Sequence, residues 1–217
     1  MQSTNFRCMT FFCIMWLIGG FLSESSHAAS ALVTDEQGKP FVNAVISLTK
    51  ALPNSTSTQL GSTAVMDQLE KQFSPKILVV DQGTTVVFPN SDNIRHHVYS
   101  FSEPKPFEIK LYANESVPPI LFDKPGIVVL GCNIHDSMLG FIYVKESKQI
   151  WMTNEQGIAD IGEAIGEVTI WHPDFSVDHL ERMSGILVSG APNEFTFNRV
   201  LPTKAHKKTF GSSKFNR

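Results

Sequence analysis

The chain has 217 residues, of which 42% are hydrophobic, and its formal net charge at pH 7 is −3. This length suits one large domain or two small ones, and the hydrophobic content is ordinary for a globular protein. The small negative charge argues against a general nucleic-acid binder, which needs basic residues to neutralise phosphates. Many Val, Ile, Phe and Thr residues favour β structure.

Residues 1–28 have the pattern of a secretory signal peptide. Arg7 provides the positive start, an apolar run covers 9–22, and Ser26-His27-Ala28 is a small-x-small cleavage-like site. An uncleaved anchor is the alternative, but the run is shorter than the roughly 20 residues that span a bilayer. We therefore expect a periplasmic or secreted protein with no stable membrane anchor.

Short apolar segments separated by Gly, Pro, Asn and Ser predict an all-β protein. Residues 32–48 hold two such segments around a turn at 37–40, and a Ser/Thr-rich loop or linker follows over 51–63. Residues 66–73 fit a turn of helix or an irregular segment. Strands are then predicted at Lys76–Val80, Thr84–Pro89, His97–Phe101, Phe107–Leu111, Ile120–Phe122, Ile127–Gly131 and Gly140–Lys145. Short strands at this spacing indicate a sandwich.

The pattern changes after Lys145, where a turn and then strands at Glu167–Trp171, Gly185–Val188 and Glu194–Phe197 are predicted. The flanks should pair and form a second small β-sandwich, because each alone has too few strands to close a core. The basic end is interpreted as a solvated tail, with docking to an acidic partner as the alternative. The predicted divisions are 1–28 (signal), 29–63 (N-terminal strands and linker), 64–146 (central domain), 147–201 (C-terminal β region, paired with 31–50) and 202–217 (tail).

Residues 132–138 contain the most informative motif. Cys132, His135 and Met138 offer a thiolate, an imidazole and a thioether at i, i+3 and i+6, and a second imidazole lies upstream within 88–98. One Cys, two His and a weak, distant Met form the ligand set of a blue-copper electron-transfer site. Two of the three cysteines lie in the predicted signal, so Cys132 has no internal disulfide partner and metal ligation would protect it from oxidation.

Other interpretations account for less of this pattern. Cys132 and Met138 could simply fill the core. Zinc also accepts Cys and His, but a structural zinc site usually has more than one Cys. A Cys–His nucleophile is conceivable, yet the sequence shows no oxyanion loop or base-orienting group, so we expect no enzyme. His172 is interpreted as a satisfied turn residue rather than a surface ligand, and Asp136 as a loop cap.

The two ligand segments resemble the cupredoxin family, the plastocyanin- and amicyanin-like blue-copper proteins, over about residues 64–146. In that family a strand and an Asn precede a ligand His by six residues, as Asn90 precedes His96. A Phe, a Gly and a strand then lead to Cys-x-x-His-x-x-Met, which residues 122–138 match without gaps. Residues 66–68, 96–101 and 131–136 also resemble a subgroup of exported cupredoxin-like proteins that are often labelled methylamine utilization proteins.

The resemblance implies a cupredoxin-like Greek-key sandwich with one type 1 copper ion. His96, Cys132 and His135 would be the trigonal ligands, and Met138 the axial ligand that tunes the potential. The implied function is that of an exported one-electron carrier whose partners are redox proteins such as a c-type cytochrome or a dehydrogenase. The competing class is a cupredoxin-like module that binds copper or docks a partner without electron transfer.

The chain departs from the family beside the first ligand histidine. The residue after it, usually Asn, is His97, and the residue before it, usually Pro, is Arg95. Adjacent strand residues point to opposite faces, so only one of the two histidines can ligate easily, and the spacing favours His96. His97 is then a candidate for the hydrogen bond that Asn normally supplies to the ligand loops.

The flanking segments resemble a second family, the carboxypeptidase-regulatory and transthyretin-like sandwiches. Residues 33–40 and 43–46 are similar to its opening, and residues 153–157 and 166–170 are similar to its later half. This resemblance implies that the copper domain is inserted in one loop of a split sandwich. That sandwich would be a structural or docking module.

Overall fold

The computed structural model describes residues 29–49, 61–113 and 115–200. The predicted signal peptide, the basic tail and most of the predicted linker lie outside these residues. The described part is built from strands and one 3-10 turn at Pro173–Phe175, which confirms the all-β class. We find no helix in this part of the chain with the length and apolarity needed to cross a bilayer.

The strands follow one another at short intervals along the described chain. Their bounds are β1 Ala29–Asp35, β2 Val45–Leu48, β3 Thr63–Val65, β4 Asp67–Leu69, β5 Gln72–Ser74, β6 Ile77–Val80, β7 Thr84–Val87, β8 His96–Ser100, β9 Phe107–Tyr112, β10 Ile120–Phe122, β11 Gly126–Gly131, β12 Leu139–Val144, β13 Ile150–Met152, β14 Ile158–Gly162, β15 Gly166–Trp171, β16 Arg182–Leu187 and β17 Asn193–Phe197. Most predicted strands are therefore present, with ends that shift by a few residues.

The central sandwich consists of a five-stranded sheet, β6-β12-β11-β8-β9, and a three-stranded sheet, β10-β7-β3. Its core contains side chains from both sheets, among them Val86 and Phe122 from the smaller sheet and Val98, Val128 and Ile142 from the larger. Strand β12 lies parallel to β6, and β11 is antiparallel to both β12 and β8. This arrangement confirms the predicted β-sandwich.

The flanking strands form a second, smaller sandwich. Strand β2 pairs with β13 and β15, so that Ile46 lies opposite Ile170, and β1 pairs with β14 and β17. Buried side chains from both of these sheets, including Val33, Ile46 and Val168, form one apolar cluster. Segments from both ends of the described chain thus share this core, while the domain boundaries themselves stay a prediction.

The five-stranded sheet is apolar on both faces. Val128 and Ile142 point into the central core, whereas their neighbours Ile127 and Phe141 join a third cluster with Val45, Ile77, Tyr143 and Trp171. Because successive strand residues alternate between faces, β11 and β12 need an apolar residue at nearly every position. The flanking sandwich packs on the outer face of this sheet at β6, β11 and β12, where Val45 and Trp171 join the third cluster.

The segment 66–73 differs from the prediction of a turn of helix. It forms the antiparallel hairpin β4–β5, with Glu70 and Lys71 at its tip at φ values of 54° and 60°. Met66 and Gln68 are buried while Asp67 and Leu69 are more exposed, a period of two that suits a strand. The helical alternative was therefore wrong.

His172 is a satisfied residue of the flanking sandwich, as its sequence context indicated. Its Nε2–H donates to the Val42 carbonyl at 3.1 Å, and its Nδ1 accepts from the Asp174 N–H at 3.1 Å. The ring packs against Phe41, with the ring centroids 5.0 Å apart. Burial lowers the pKa of His172 from 6.5 to about 4, outweighing the opposite effect of Asp174. The hydrogen bond that Nδ1 accepts from the Asp174 N–H requires the neutral ring.

Stability should therefore fall as the pH drops from 6.5 towards 4. The unfolded chain protonates His172 near its ordinary pKa, whereas the folded chain resists protonation, so acid favours unfolding. We expect the free energy of unfolding to fall by about 2 kcal/mol between pH 7.5 and pH 5 because of this residue. Urea unfolding of the native chain and His172→Phe at both pH values measures it. Equal losses in the two proteins would contradict the assignment.

Candidate metal centre

Two neighbouring strands and one loop bring three ligand-type side chains together. His96 begins β8, Cys132 directly follows β11, and His135 lies in the loop that leads to β12. Because β8 and β11 are antiparallel neighbours, with Tyr99 opposite Gly131, the start of one lies beside the end of the other. One ligand-type atom from each of the three side chains lies within 4.8 Å of those of the other two.

The cluster is largely excluded from water. His96 is fully buried and Cys132 is 3% exposed, while His135 is half-buried. The Nδ1 atom of His96 lies 3.8 Å from the Cys132 Sγ, and the two imidazole centroids are 5.2 Å apart. A tight turn, closed by the Met138 N–H on the His135 carbonyl at 2.9 Å, holds the loop. The cluster is therefore made of two imidazoles and one thiol.

Asp92 orients the His96 ring. Its Oδ2 lies 2.6 Å from His96 Nε2. The carboxylate also accepts the N–H groups of Glu70 and Lys71, at 2.7 and 2.9 Å, from the tip of the β4–β5 hairpin. Partial burial would raise the pKa of Asp92, but these backbone donors and His96 outweigh it, and the pKa lies below its ordinary value. An ionised Asp92 keeps the His96 proton on Nε2. The Nδ1 atom is then unprotonated, and its lone pair is free to bind a metal.

The unpartnered ring nitrogen of His135 indicates whether a metal ion fits this cluster. Its Nδ1 is buried and has no hydrogen-bond partner among the residues that the structure describes. A buried polar atom without a partner is rare and costly. Coordination to a metal between His135, His96 and Cys132 would satisfy it. The donor set and the unpartnered nitrogen therefore both fit a bound metal ion.

Met138 is buried in the same apolar cluster that contains Cys132. Its burial agrees equally with core packing and with an axial ligand, so the axial role stays a prediction.

His97 is directed away from the cluster. Its Nε2 lies 2.8 Å from Glu108 Oε1 on β9, and its ring packs against Tyr99. The sequence interpretation offered His97 the hydrogen bond that ties the two ligand loops together, but its other ring nitrogen, Nδ1, has no partner among the described residues. Asp92 instead holds the neighbouring His96. Only the four-residue spacing between Asp92 and His96 hinted at that contact. Asp136 is exposed and lies outside the cluster.

No protein-family model and no curated protein matches the chain. Among solved structures, it is similar to a copper-containing nitrite reductase from Thermus scotoductus SA-01, at 27% identity over 54% of this chain and 28% of the reductase, with a TM-score of 0.36. A pseudoazurin from Sinorhizobium meliloti is 22% identical over 42% of this chain and 78% of its own, with a TM-score of 0.34. An amicyanin mutant in its reduced Cu(I) form at pH 4 is 18% identical over 46% and 98%, with a TM-score of 0.35.

The match spans less than a third of the reductase.

Asp92→Asn should weaken metal binding while the protein stays folded. The substitution keeps the side-chain shape but removes the charge that holds the His96 proton on Nε2. We expect the affinity for Cu²⁺ to fall by roughly 10- to 100-fold, measured by competition with a chelator. Asp81→Asn is the matched control, because Asp81 forms a surface ion pair with Lys145 at 3.2 Å. Equal affinities for the two variants would show that Asp92 does not support the site.

Proposed function

We propose that this chain is an exported blue-copper protein that carries single electrons between redox partners. The observation that carries the proposal is the convergence of His96, Cys132 and His135 in a buried cluster. Two imidazoles and one thiolate form the trigonal set of type 1 copper, with a weak axial Met as the usual fourth ligand. Membership of the cupredoxin family, and of its subgroup labelled methylamine utilization proteins, belongs to this proposal. None of the ligand-motif residues recognises an amine.

Bound copper would supply reversible one-electron chemistry, and the chain supplies the rigid site around it. His96 and Cys132 lie at strand ends within one sheet, and Asp92 holds the His96 ring from behind. A site fixed in this way changes little when the charge of the metal changes, so electron transfer would require little rearrangement. Met138, buried beside Cys132, would complete the ligand set as the axial group.

A single thiolate favours copper over structural zinc, which usually takes more cysteines. Cys132, His96 and Asp92 also have the order of a nucleophile, a base and a carboxylate that orients the base. The sequence alone did not reveal Asp92 as the orienting carboxylate. Burial argues against such an enzyme: Cys132 is 3% exposed and His96 is fully buried, which leaves the thiol without access to a bulky substrate. We therefore propose a carrier and not an enzyme.

His135 is the ligand that we propose faces the partner protein. It is only half-buried, and Ile134 and Leu139 beside it are apolar and exposed. An apolar rim around a metal ligand suits a transient complex with a redox protein, such as a c-type cytochrome or a dehydrogenase. The second candidate, copper storage or delivery, would use the same ligands but would not need reversible electron exchange.

Copper reconstitution tests the proposal directly. With one equivalent of Cu²⁺, we expect an intense visible thiolate-to-copper absorption that a reductant bleaches and an oxidant restores. Cys132→Ser is the control and should stay colourless, because it lacks the thiolate. If the native chain stays colourless at saturating Cu²⁺, the electron-carrier proposal fails and storage or docking remains.

The two adjacent histidines should behave differently. His96→Ala should abolish the coloured site, because it removes the imidazole that lies 3.8 Å from Cys132 Sγ. His97→Ala should keep the colour and change only the potential or the stability, since His97 contacts Glu108 and Tyr99 instead. Visible spectra of both copper-loaded variants decide the matter, and the opposite pattern would reverse the ligand assignment.

A further inference from the structure

A cavity of about 450 Å³ lies between the ligand loop and the flanking sandwich. This volume is within the range of sites that hold a small organic molecule. Among the described residues that line it, none belongs to the cluster of His96, Cys132 and His135, so it is a separate site. It is lined on one side by Asp136, Ser137 and Leu139, and on the other by Val177, His179 and Val200.

Most of the surface of this cavity is apolar. Leu139 and Val177 are exposed although both are hydrophobic, and Phe141 and Pro173 also line the cavity. The Phe141 ring lies edge-on to the His179 ring, with the two centroids 5.3 Å apart. A further flat ring can pack against rings that are arranged in this way. The cavity therefore suits a ligand with an apolar, aromatic body.

His179 brings a hydrogen-bond acceptor to the lining of the cavity. Its Nδ1 lies 2.7 Å from the Pro173 carbonyl, and the Trp171 Nε1–H donates to the His179 carbonyl at 2.9 Å. These contacts hold His179 at a left-handed φ of 64°, which few residues other than glycine adopt. Because a carbonyl only accepts, Nδ1 carries the proton of the neutral ring and Nε2 keeps a lone pair. A ligand that meets Nε2 must therefore bring a donor.

The charged groups around the cavity offset one another. Asp136 and Asp174 bring carboxylates, and Lys76 brings an ammonium group. Asp174 is also paired with Arg199, at 2.9 Å. Because the two signs balance, the cavity favours an uncharged ligand over an ion. The two carboxylates and the His179 ring nitrogen all accept hydrogen bonds, so the lining favours a molecule with hydrogen-bond donors at more than one position.

We propose that this cavity binds a small uncharged aromatic diol and that its occupancy is coupled to the metal centre. The ring lies against Leu139 and Val177, and the two hydroxyls donate to His179 Nε2 and to the Asp136 carboxylate. No covalent bond forms or breaks. Residues 136 and 137 lie between His135 and Met138 in the chain, so the bound diol contacts the loop that carries both. The coupling rests on the proposed function, whereas the binding does not.

Titration of the metal-free protein with resorcinol tests the site without copper. The methyl resonances of Leu139, Val177 and Val200 should shift in nuclear magnetic resonance spectra as resorcinol is added. The compound 1,3-dimethoxybenzene has the same ring but no hydrogen-bond donor, and we expect it to bind roughly 10-fold more weakly or worse, because the acceptors in the cavity stay unpaired. Equal affinities for the two compounds, or shifts confined to other parts of the chain, would overturn the proposal.

Three variants locate the diol. Val177→Trp, at an exposed position of the lining, should fill the cavity and weaken resorcinol binding several-fold. Ile165→Trp is the matched control and should bind like the native chain, because Ile165 is also exposed but does not line the cavity. His179→Asn removes the ring but keeps a residue that tolerates the left-handed φ, so it should lose the preference for resorcinol over 1,3-dimethoxybenzene. Unchanged binding in Val177→Trp would show that the site lies elsewhere.

Copper binding tests the coupling. Metal binding must order the ligand loop, and a diol that already holds this loop removes part of that entropy cost. Saturating resorcinol should therefore raise the affinity for Cu²⁺ several-fold, measured by competition with a chelator, and copper should raise the affinity for resorcinol by the same factor. Val177→Trp should show neither effect. An unchanged copper affinity in the native chain would overturn the coupling, whereas a colourless copper-loaded protein that still binds resorcinol would refute only the carrier function.

Discussion

The hydrogen bond between Asp92 and His96 is the interaction on which the site depends. It joins three parts of the fold: the β4–β5 hairpin, whose tip donates two N–H groups to Asp92, the loop that carries Asp92, and the start of β8. Because the carboxylate holds the proton on Nε2, Nδ1 is left facing the thiol of Cys132. The ring is therefore oriented for a metal before any metal binds, which is the usual role of such an outer carboxylate.

The flanking sandwich supports the same site from the other face of the sheet. Phe141 lies three residues after Met138, in the strand that follows the ligand loop. Its ring packs edge-on against the rings of Trp171 and His179, at centroid distances of 5.9 and 5.3 Å. Strand β12, which closes the ligand loop, is thus packed on both faces. Interiors of this kind are closely packed and deform little. The flanks therefore contribute to the rigidity of the ligand loop, although none of their described residues belongs to the cluster of His96, Cys132 and His135.

Much of this arrangement could be predicted from local patterns, and what was missed depends on distant contacts. The Cys132 and His135 spacing and the apolar runs of β11 and β12 identify a ligand loop between strands. The role of Asp92 could not be predicted, because an irregular loop has no periodicity that sets side-chain direction. Strands β3 and β13, of three residues each, also escaped prediction. Their pairing partners, and not their own composition, make them strands.

X-ray absorption at the copper edge of the reconstituted protein shows whether Cys132, His96 and His135 bind the metal together, because it counts the atoms bound to copper. We predict one short bond to sulfur and two bonds to imidazole nitrogen, with any second sulfur at a longer distance. The sulfur bond should disappear in Cys132→Ser. A copper ion surrounded only by nitrogen and oxygen in the native chain would show that Cys132 is not a ligand and that the site is not a blue-copper site.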